Sequence, residues 1–168
     1  MALPSDPIAE ARRQWEVHGW EDAAEGMAAV TSLMRAQQIV QARVDDVLKP
    51  MGLTFSRYEL LMLLHFSRAG SLPVTKASAR LQVHPTSVTN AVDRLEAAGF
   101  VRRMPHPTDG RATLVELTDE GRAMALRATD RLNDEVFGRF GLSSRRTASL
   151  VSVLTELRRE AGDFGSPA

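Results

Sequence analysis

The segment from Leu72 to Thr118 constrains the fold of this chain more than any other part. It contains a short helical pattern, a break, a longer helical pattern and then two strand-like runs around a basic turn. Pro85 suits the first turn of the longer helix, where its missing N–H would have no partner in any case. Val88 and Leu95 belong to an apolar series at helical spacing, which indicates a buried face. This order predicts a mainly α-helical fold with a helix-turn-helix followed by a small β wing.

The two strand-like runs span residues 100–104 and 113–117 and enclose a positively charged turn. The Asp109-Gly110 pair and two nearby prolines indicate a hairpin turn rather than a continued helix. Arg103 lies at the entry to the hairpin and Arg111 at its exit. Arginine at such a tip suits the minor groove of DNA, where narrow A·T stretches concentrate negative potential.

The outward side of the longer helix carries small hydroxyl, amide and guanidinium groups. Such groups bond to phosphates and base edges while allowing a helix to enter the major groove closely. We expect Asn90 and Arg94 to read bases, Lys76 and Arg111 to bind phosphates or groove shape, and Asp109 to orient Arg111. The residues predicted to contact DNA are Lys76, His84, Thr86, Ser87, Thr89, Asn90, Arg94, Arg103, Asp109 and Arg111.

Three stretches of this segment resemble the MarR family of bacterial transcriptional regulators. They are residues 87–96, residues 99–103 and the Asp109-x-Arg111 motif of the wing, and the resemblance extends over roughly residues 27–161. It implies a homodimeric winged helix-turn-helix that binds a pseudo-palindromic operator, usually as a repressor that a small molecule releases.

The flanking sequence predicts four regions. An N-terminal extension with an extra helix covers 1–26, a dimerisation helix 27–52, the winged helix-turn-helix lobe 53–118, and C-terminal dimerisation helices with a tail 119–168. Long terminal helices need a surface against which to bury their apolar stripes. A two-fold dimer provides one and would place two recognition helices about 34 to 36 Å apart, one turn of DNA. The alternative is that these helices pack only within one chain.

The helices beside the lobe carry further apolar patterns. The next helical pattern spans residues 56–67. Its nearly continuous apolar residues are expected to be buried, and they are Leu60, Leu61, Leu63, Leu64 and Phe66. In the short helix before the turn, Val74, Ala77, Ala79 and Leu81 form the predicted inward face. After the wing, Thr118 is a plausible N-cap of a helix that extends to about residue 140.

An N-terminal helix with a tryptophan resembles the branch of the family that responds to urate or small organic anions. That branch combines a tryptophan with an acid and an arginine that opens the wing, which Trp15, Glu59 and Arg103 match here. Ala91 stands where the branch has an arginine in its recognition helix, which argues against urate itself. The implied effector is a small anionic or aromatic molecule. The predicted ligand-binding residues are Trp15, Arg35, Glu59, His65 and Arg103.

Each of these residues also has a simpler interpretation. Trp15 is compatible with a core or interface aromatic, and Arg35 with a solvated helix face. Glu59 follows Ser56 at the spacing of a capping box, in which each side chain satisfies the other residue's backbone N–H. Arg103 is compatible with a phosphate contact.

Composition and motifs exclude several other classes. The chain has no cysteine, which removes disulfides, thiolate metal sites and thiol-based sensing. Its four histidines show no metal-ligand spacing, and neither a phosphate-binding glycine loop nor a nucleophile elbow is present. We therefore expect no catalytic activity, no metal and no cofactor. Without a long apolar run or a signal-peptide pattern, we expect a cytoplasmic protein without a membrane partner.

The net charge is zero, but its distribution is uneven. Residues 72–111 contain six lysines and arginines and three acids, whereas residues 1–26 contain two arginines and six acids. The lobe can therefore face phosphate while the N-terminus faces away from it. The main alternative is a winged-helix protein-interaction module without specific DNA binding, although the predicted recognition face lacks the aromatic anchors that protein partners favour.

Overall fold

Helices form most of the chain, and a small sheet lies in its middle. The computed structural model describes residues 4–106, 108 and 113–165. In chain order the elements are α1 (Pro7–Val17), α2 (Glu21–Leu48), a 3₁₀ turn (Lys49–Met51), α3 (Phe55–Phe66), β1 (Ser71–Pro73), α4 (Val74–Leu81), α5 (Pro85–Ala97), β2 (Val101–Pro105), β3 (Thr113–Leu117), α6 (Asp119–Leu132), a π-helical turn (Asn133–Phe137) and α7 (Ser144–Glu160). The predicted winged helix-turn-helix is confirmed.

The N-terminal extension forms the extra helix that the sequence predicted. Asp6 caps α1, since its side chain accepts a hydrogen bond of 2.9 Å from the N–H of Ile8. Gly19, with a left-handed φ of 82°, lies in the turn that follows. The next helix, α2, then begins at Glu21 rather than near residue 27.

The sheet has three antiparallel strands in the order β1-β3-β2. Val115 of the central strand lies opposite Leu72 on one side and Arg103 on the other, and it is fully buried. The sequence did not predict β1, because three residues are too few to show alternation. Pro73 fits there because β1 is an edge strand.

The core lies where the winged lobe meets α2 and α6. Both the helix-turn-helix helices and the wing contribute to it, so α5 is fixed by packing on its inner side. Its buried side chains include Leu48, Leu53, Leu60, Leu61, Leu64, Val88, Val92, Leu95, Val101, Val115, Ala125, Ala128 and Leu132.

Two of the predicted core positions are wrong. Phe66 is 75% exposed, because it is the last residue of α3 and the core does not cover the end of this helix. Ala79 is exposed as well, and Ser78 is buried in its place. The Ser78 hydroxyl donates a hydrogen bond of 2.7 Å to the carbonyl of Val83, which satisfies the buried polar group.

The helix after the wing begins as predicted and ends differently. Thr118 caps α6, since its hydroxyl accepts a hydrogen bond of 3.0 Å from the N–H of Gly121. Regular α-helix stops at Leu132 and continues as the π-helical turn instead of running to about residue 140. A change of hydrogen-bond spacing of this kind has no clear sequence signature.

The segment that follows α7 contacts the helix-turn-helix. Gln82, which occupies the turn after α4 with a left-handed φ of 54°, donates a hydrogen bond of 2.6 Å to the carbonyl of Asp163. The Asp163 carboxylate in turn pairs with Arg158 of α7 at 2.6 Å. These bonds connect α7 to the turn that precedes α5.

The terminal helices leave apolar side chains uncovered in the single chain. Val30 and Leu33 of α2 are 60% and 43% exposed, and α7 buries none of its side chains.

Within residues 4–106, 108 and 113–165, no helix combines the length and apolar character that a membrane span requires. The same residues hold no cluster of three or more potential metal-ligating side chains.

Candidate nucleic-acid interface

The recognition helix α5 begins at a proline and has a histidine cap. Pro85 occupies its first position, and the ring Nδ1 of His84 accepts a hydrogen bond of 3.3 Å from the N–H of Thr86. Val88 and Leu95 face the core, so the opposite side of the helix faces solvent. His84 was predicted to lie near DNA, and it stands at the N-terminal end of the exposed face.

The exposed face of α5 is polar, as the sequence predicted. Asn90 and Arg94 lie one turn apart and thus share a side of the helix. Thr89 also points outward, with its hydroxyl donating to the Pro85 carbonyl at 3.1 Å, and Lys76 is exposed on the adjacent helix α4. The predicted residues that the structure leaves exposed here are Lys76, His84, Thr86, Ser87, Thr89, Asn90 and Arg94.

Arg103 differs from the other predicted DNA contacts. Its guanidinium forms ion pairs with both Asp93 and Glu96 of α5. Partial burial lowers the pKa of Arg103, but the hydrogen bonds to the two carboxylates outweigh this, and the net direction is upward. Sequence reasoning missed the pairing, because these residues meet only when β2 folds back along α5.

A further ion pair joins the two strands of the wing to each other. Arg102 faces Glu116 in the register of β2 and β3, and their side chains meet at 2.6 Å. The hydrogen bond from Arg102 lowers the pKa of Glu116. The predicted contacts of Asp109 and Arg111 lie outside the described residues.

The five predicted ligand-binding residues each have a different environment. Trp15 packs edge-to-face against Trp20 with ring centroids 5.3 Å apart, and Arg35 donates to Gln38 at 3.1 Å. His65 pairs with Arg122 of α6 at 2.9 Å. In the part of the chain that the structure describes, no hydrogen bond or ion pair joins any two of the five.

The capping interpretation of Glu59 is wrong. Thr54 caps α3, since its hydroxyl accepts from the N–H of Arg57 at 3.4 Å, and Ser56 lies inside the helix. Glu59 is exposed on α3, and partial desolvation by nearby protein atoms raises its pKa. The residue is therefore left without the structural role that its spacing suggested.

A cleft of about 680 Å³ separates the first turn of α3 from α5. Arg57 of α3 lines this cleft together with Asp93 and with Asn90 and Arg94, the two residues predicted to read bases. Sequence reasoning missed the contribution of α3, because nothing local marks its first turn as a neighbour of α5. The cleft is lined by Thr54, Ser56, Arg57, Ser87, Asn90, Ala91, Asp93, Arg94 and Ala97.

A helix-turn-helix whose second helix has a buried apolar side and an exposed polar side, followed by a wing, defines the class of winged-helix DNA-binding proteins. The model of the MarR family matches residues 53–113. YdgJ, a transcriptional regulator of Bacillus subtilis (strain 168), is 32% identical over 116 residues, which are 67% of this chain and 68% of YdgJ. The chain belongs to the MarR family of transcriptional regulators and is not an enzyme.

Other relatives extend the likeness beyond the lobe. The transcriptional regulator PecS of Dickeya dadantii (strain 3937) is 27% identical over 124 residues, covering 73% of this chain and 75% of PecS. Sco5413, a MarR family transcriptional regulator from Streptomyces coelicolor, is 48% identical, with a TM-score of 0.76 over 84% of this chain and 99% of Sco5413. Sco3205 from the same organism, solved in complex with DNA, is 27% identical with a TM-score of 0.72, over 82% of this chain and 88% of Sco3205.

Proposed function

We propose that the chain is a repressor that binds a pseudo-palindromic operator as a homodimer and is released by a small anionic effector. The observation that carries the DNA-binding part is the exposed polar face of α5, where Asn90 and Arg94 share one side of a helix fixed by its buried side. Asn pairs well with adenine edges and Arg with guanine edges in the major groove. Sco3205, which was solved with DNA, has the same fold.

The homodimer is supported by the apolar surface that the single chain leaves uncovered. Val30 and Leu33 lie one turn apart on α2, and Val151 and Leu157 are exposed on α7. Exposed apolar stripes on long helices are characteristic of interfaces between subunits. A two-fold arrangement of these helices would present one recognition helix to each half of an operator.

The effector part is supported by the cleft between α3 and α5. Arg57 and Arg94 supply two positive charges there against the one negative charge of Asp93, whose carboxylate is paired with Arg103. An anion of small organic size fits the volume of the cleft. An anion held by Arg94 would occupy the same guanidinium that we assign to base readout. Binding of DNA and effector would then oppose each other, and a coupling of about 1 to 3 kcal/mol corresponds to about 5- to 150-fold in affinity.

A winged-helix module that binds only proteins is the less favoured alternative. The exposed face of α5 offers hydroxyl, amide and guanidinium groups and has none of the aromatic anchors on which protein interfaces rely for much of their affinity. DNA binding by the dimer therefore explains this face better.

Asn90→Ala is expected to relax the sequence preference of operator binding. The loss of a bidentate base contact should cost about 1 to 3 kcal/mol on the preferred duplex and much less on duplexes changed at the contacted base pair. The measurement is fluorescence-anisotropy titration against duplexes from the gene's own upstream region, each carrying one base-pair change.

Lys76→Ala is the matched control. The loss of a phosphate contact is expected to weaken binding to all duplexes equally and to reduce the salt slope by about one. If Asn90→Ala retains the full preference of the unsubstituted protein at every base pair, the assignment of Asn90 to base readout is incorrect.

A further inference from the structure

We propose that Arg103 is a positioning residue that fixes the wing to the recognition helix, and that it contacts neither DNA nor effector. The inference rests on the proposed DNA-binding function. It concerns the relative orientation of α5 and the wing, the two elements proposed to contact DNA.

The geometry places three bonds between one residue of β2 and one turn of α5. The two terminal nitrogens of the Arg103 guanidinium bond to different acids, one to Asp93 and the other to Glu96. Glu96 also accepts a hydrogen bond of 2.9 Å from the backbone N–H of Arg103. Glu96 therefore holds both the main chain and the side chain of the same strand residue.

The topology explains why such an anchor is needed. The strand β2 lies at the edge of the sheet and is paired only with β3, so its other side has no strand neighbour. On that side the backbone N–H of Arg103 donates to Glu96 instead of to a strand. The guanidinium bonds to Asp93 and Glu96 add a side-chain link between the strand and α5. Because Asp93 lies next to Arg94 in the chain, a rotation of the wing would act directly on the recognition face.

The charges argue against a phosphate contact by Arg103. Its side chain is 30% exposed and shares its surroundings with two carboxylates, so the cluster of Asp93, Glu96 and Arg103 carries a net negative charge. A phosphate oxygen approaching Arg103 would meet this charge and would have to displace a bound carboxylate. Lys76 and Arg94 have no such pair of acidic partners among the ion pairs of the described residues.

The variant Asp93→Asn with Glu96→Gln distinguishes the two roles by the sign of its effect. If Arg103 positions the wing, operator affinity falls about 5-fold or more although two negative charges have been removed, and affinity for unrelated duplex does not fall. If Arg103 is a phosphate contact restrained by the acids, the variant binds more tightly and its salt slope increases. The second result overturns the proposal.

Arg103→Lys gives an independent readout. Lysine keeps the positive charge but does not bridge two carboxylates with a planar fork. The proposal predicts that this variant loses operator affinity at an unchanged salt slope, with melting by circular dichroism confirming that it is folded. Operator affinity equal to that of the unsubstituted protein would contradict the positioning role.

A double-mutant cycle of Arg103→Ala and Glu96→Ala tests the anchor without DNA. The two substitutions should be coupled by about threefold or more in the unfolding equilibrium constant measured with denaturant. Strictly additive effects would overturn the proposal even if the chain bound operator. If the unsubstituted protein shows no operator preference, the proposed function fails while this cycle still decides whether Arg103 anchors the wing.

Discussion

Gly121→Ala is expected to destabilise the fold by about 3 kcal/mol, at the upper end of the cost of inserting a methyl group into a packed site. A Cβ at this position would lie 1.9 Å from the carbonyl oxygen of Phe100 and 2.8 Å from its carbonyl carbon. This backbone has little freedom to move, because Phe100 accepts a hydrogen bond from Thr118 at 3.1 Å and donates one to Leu95 at 2.9 Å. Denaturant unfolding followed by circular dichroism measures the effect.

Gly26→Ala is the matched control for this substitution. Gly26 is also helical, but a Cβ there has no atom within 4 Å, so alanine should leave stability unchanged or raise it by about 0.5 to 1 kcal/mol. Equal midpoints for Gly121→Ala and the unsubstituted protein would show that the close approach of α6 to the turn between α5 and β2 does not exist. That approach packs the helix leaving the wing against the turn that follows α5.

Val30→Lys combined with Leu33→Lys is expected to convert the proposed dimer to a monomer and to lower operator affinity by about 100-fold or more, since two linked half-sites gain that much over one. The double variant would place two unpaired charges in an apolar interface while leaving the core of the single chain intact, because both side chains are exposed there. The added positive charge of the lysines would by itself strengthen DNA binding. A loss of operator affinity therefore reports the loss of the second subunit. Light scattering gives the mass, and anisotropy gives the affinity.

Ser32→Lys adds a positive charge to α2 on the side that helical spacing places away from Val30 and Leu33, and it should leave the dimer intact. A double variant that remains dimeric would show that this stripe of α2 is not the interface. A double variant that is monomeric and still binds operator fully would contradict the two-half-site arrangement.

The parts of the fold that sequence predicted well are those with local causes. The helix α5 follows from Pro85 and the spacing of Val88 and Leu95, and α6 begins where the Thr118 hydroxyl can cap it. These signals need only neighbouring residues, so they persist whatever the rest of the chain does. The order of the helix-turn-helix and the wing followed from the same local patterns, and the resemblance to the family agreed with it.

The parts that sequence missed depend on distant residues. The short strand β1 forms only because β3 offers it an edge, and Phe66 is exposed although its neighbours along α3 are buried. The pairing of Arg103 with Asp93 and Glu96 arises from the fold-back of β2 onto α5. Local patterns identified arginine as a functional residue type there without revealing which group it would meet.

The candidate site was predicted in part for the same reason. The exposed polar residues of α5 follow from helical periodicity, and the structure leaves Asn90 and Arg94 outward. Among the predicted effector residues, Trp15, Glu59 and Arg103 came from likeness to a branch of the family, and Arg35 and His65 were added as polar groups suited to a pocket. In the described residues, no hydrogen bond or ion pair joins any two of the five. The cleft that adjoins α5 instead uses Arg57 of α3, whose proximity is a property of tertiary packing.

The most direct test of the account is fluorescence-anisotropy binding of the unsubstituted protein to duplexes from the gene's own upstream region, against unrelated competitor DNA and across a salt series. We predict tight, competitor-resistant binding of two chains per duplex to at least one of these sequences. Weak binding that disappears equally for every duplex as salt rises would leave only non-specific charge attraction and would contradict operator recognition by α5.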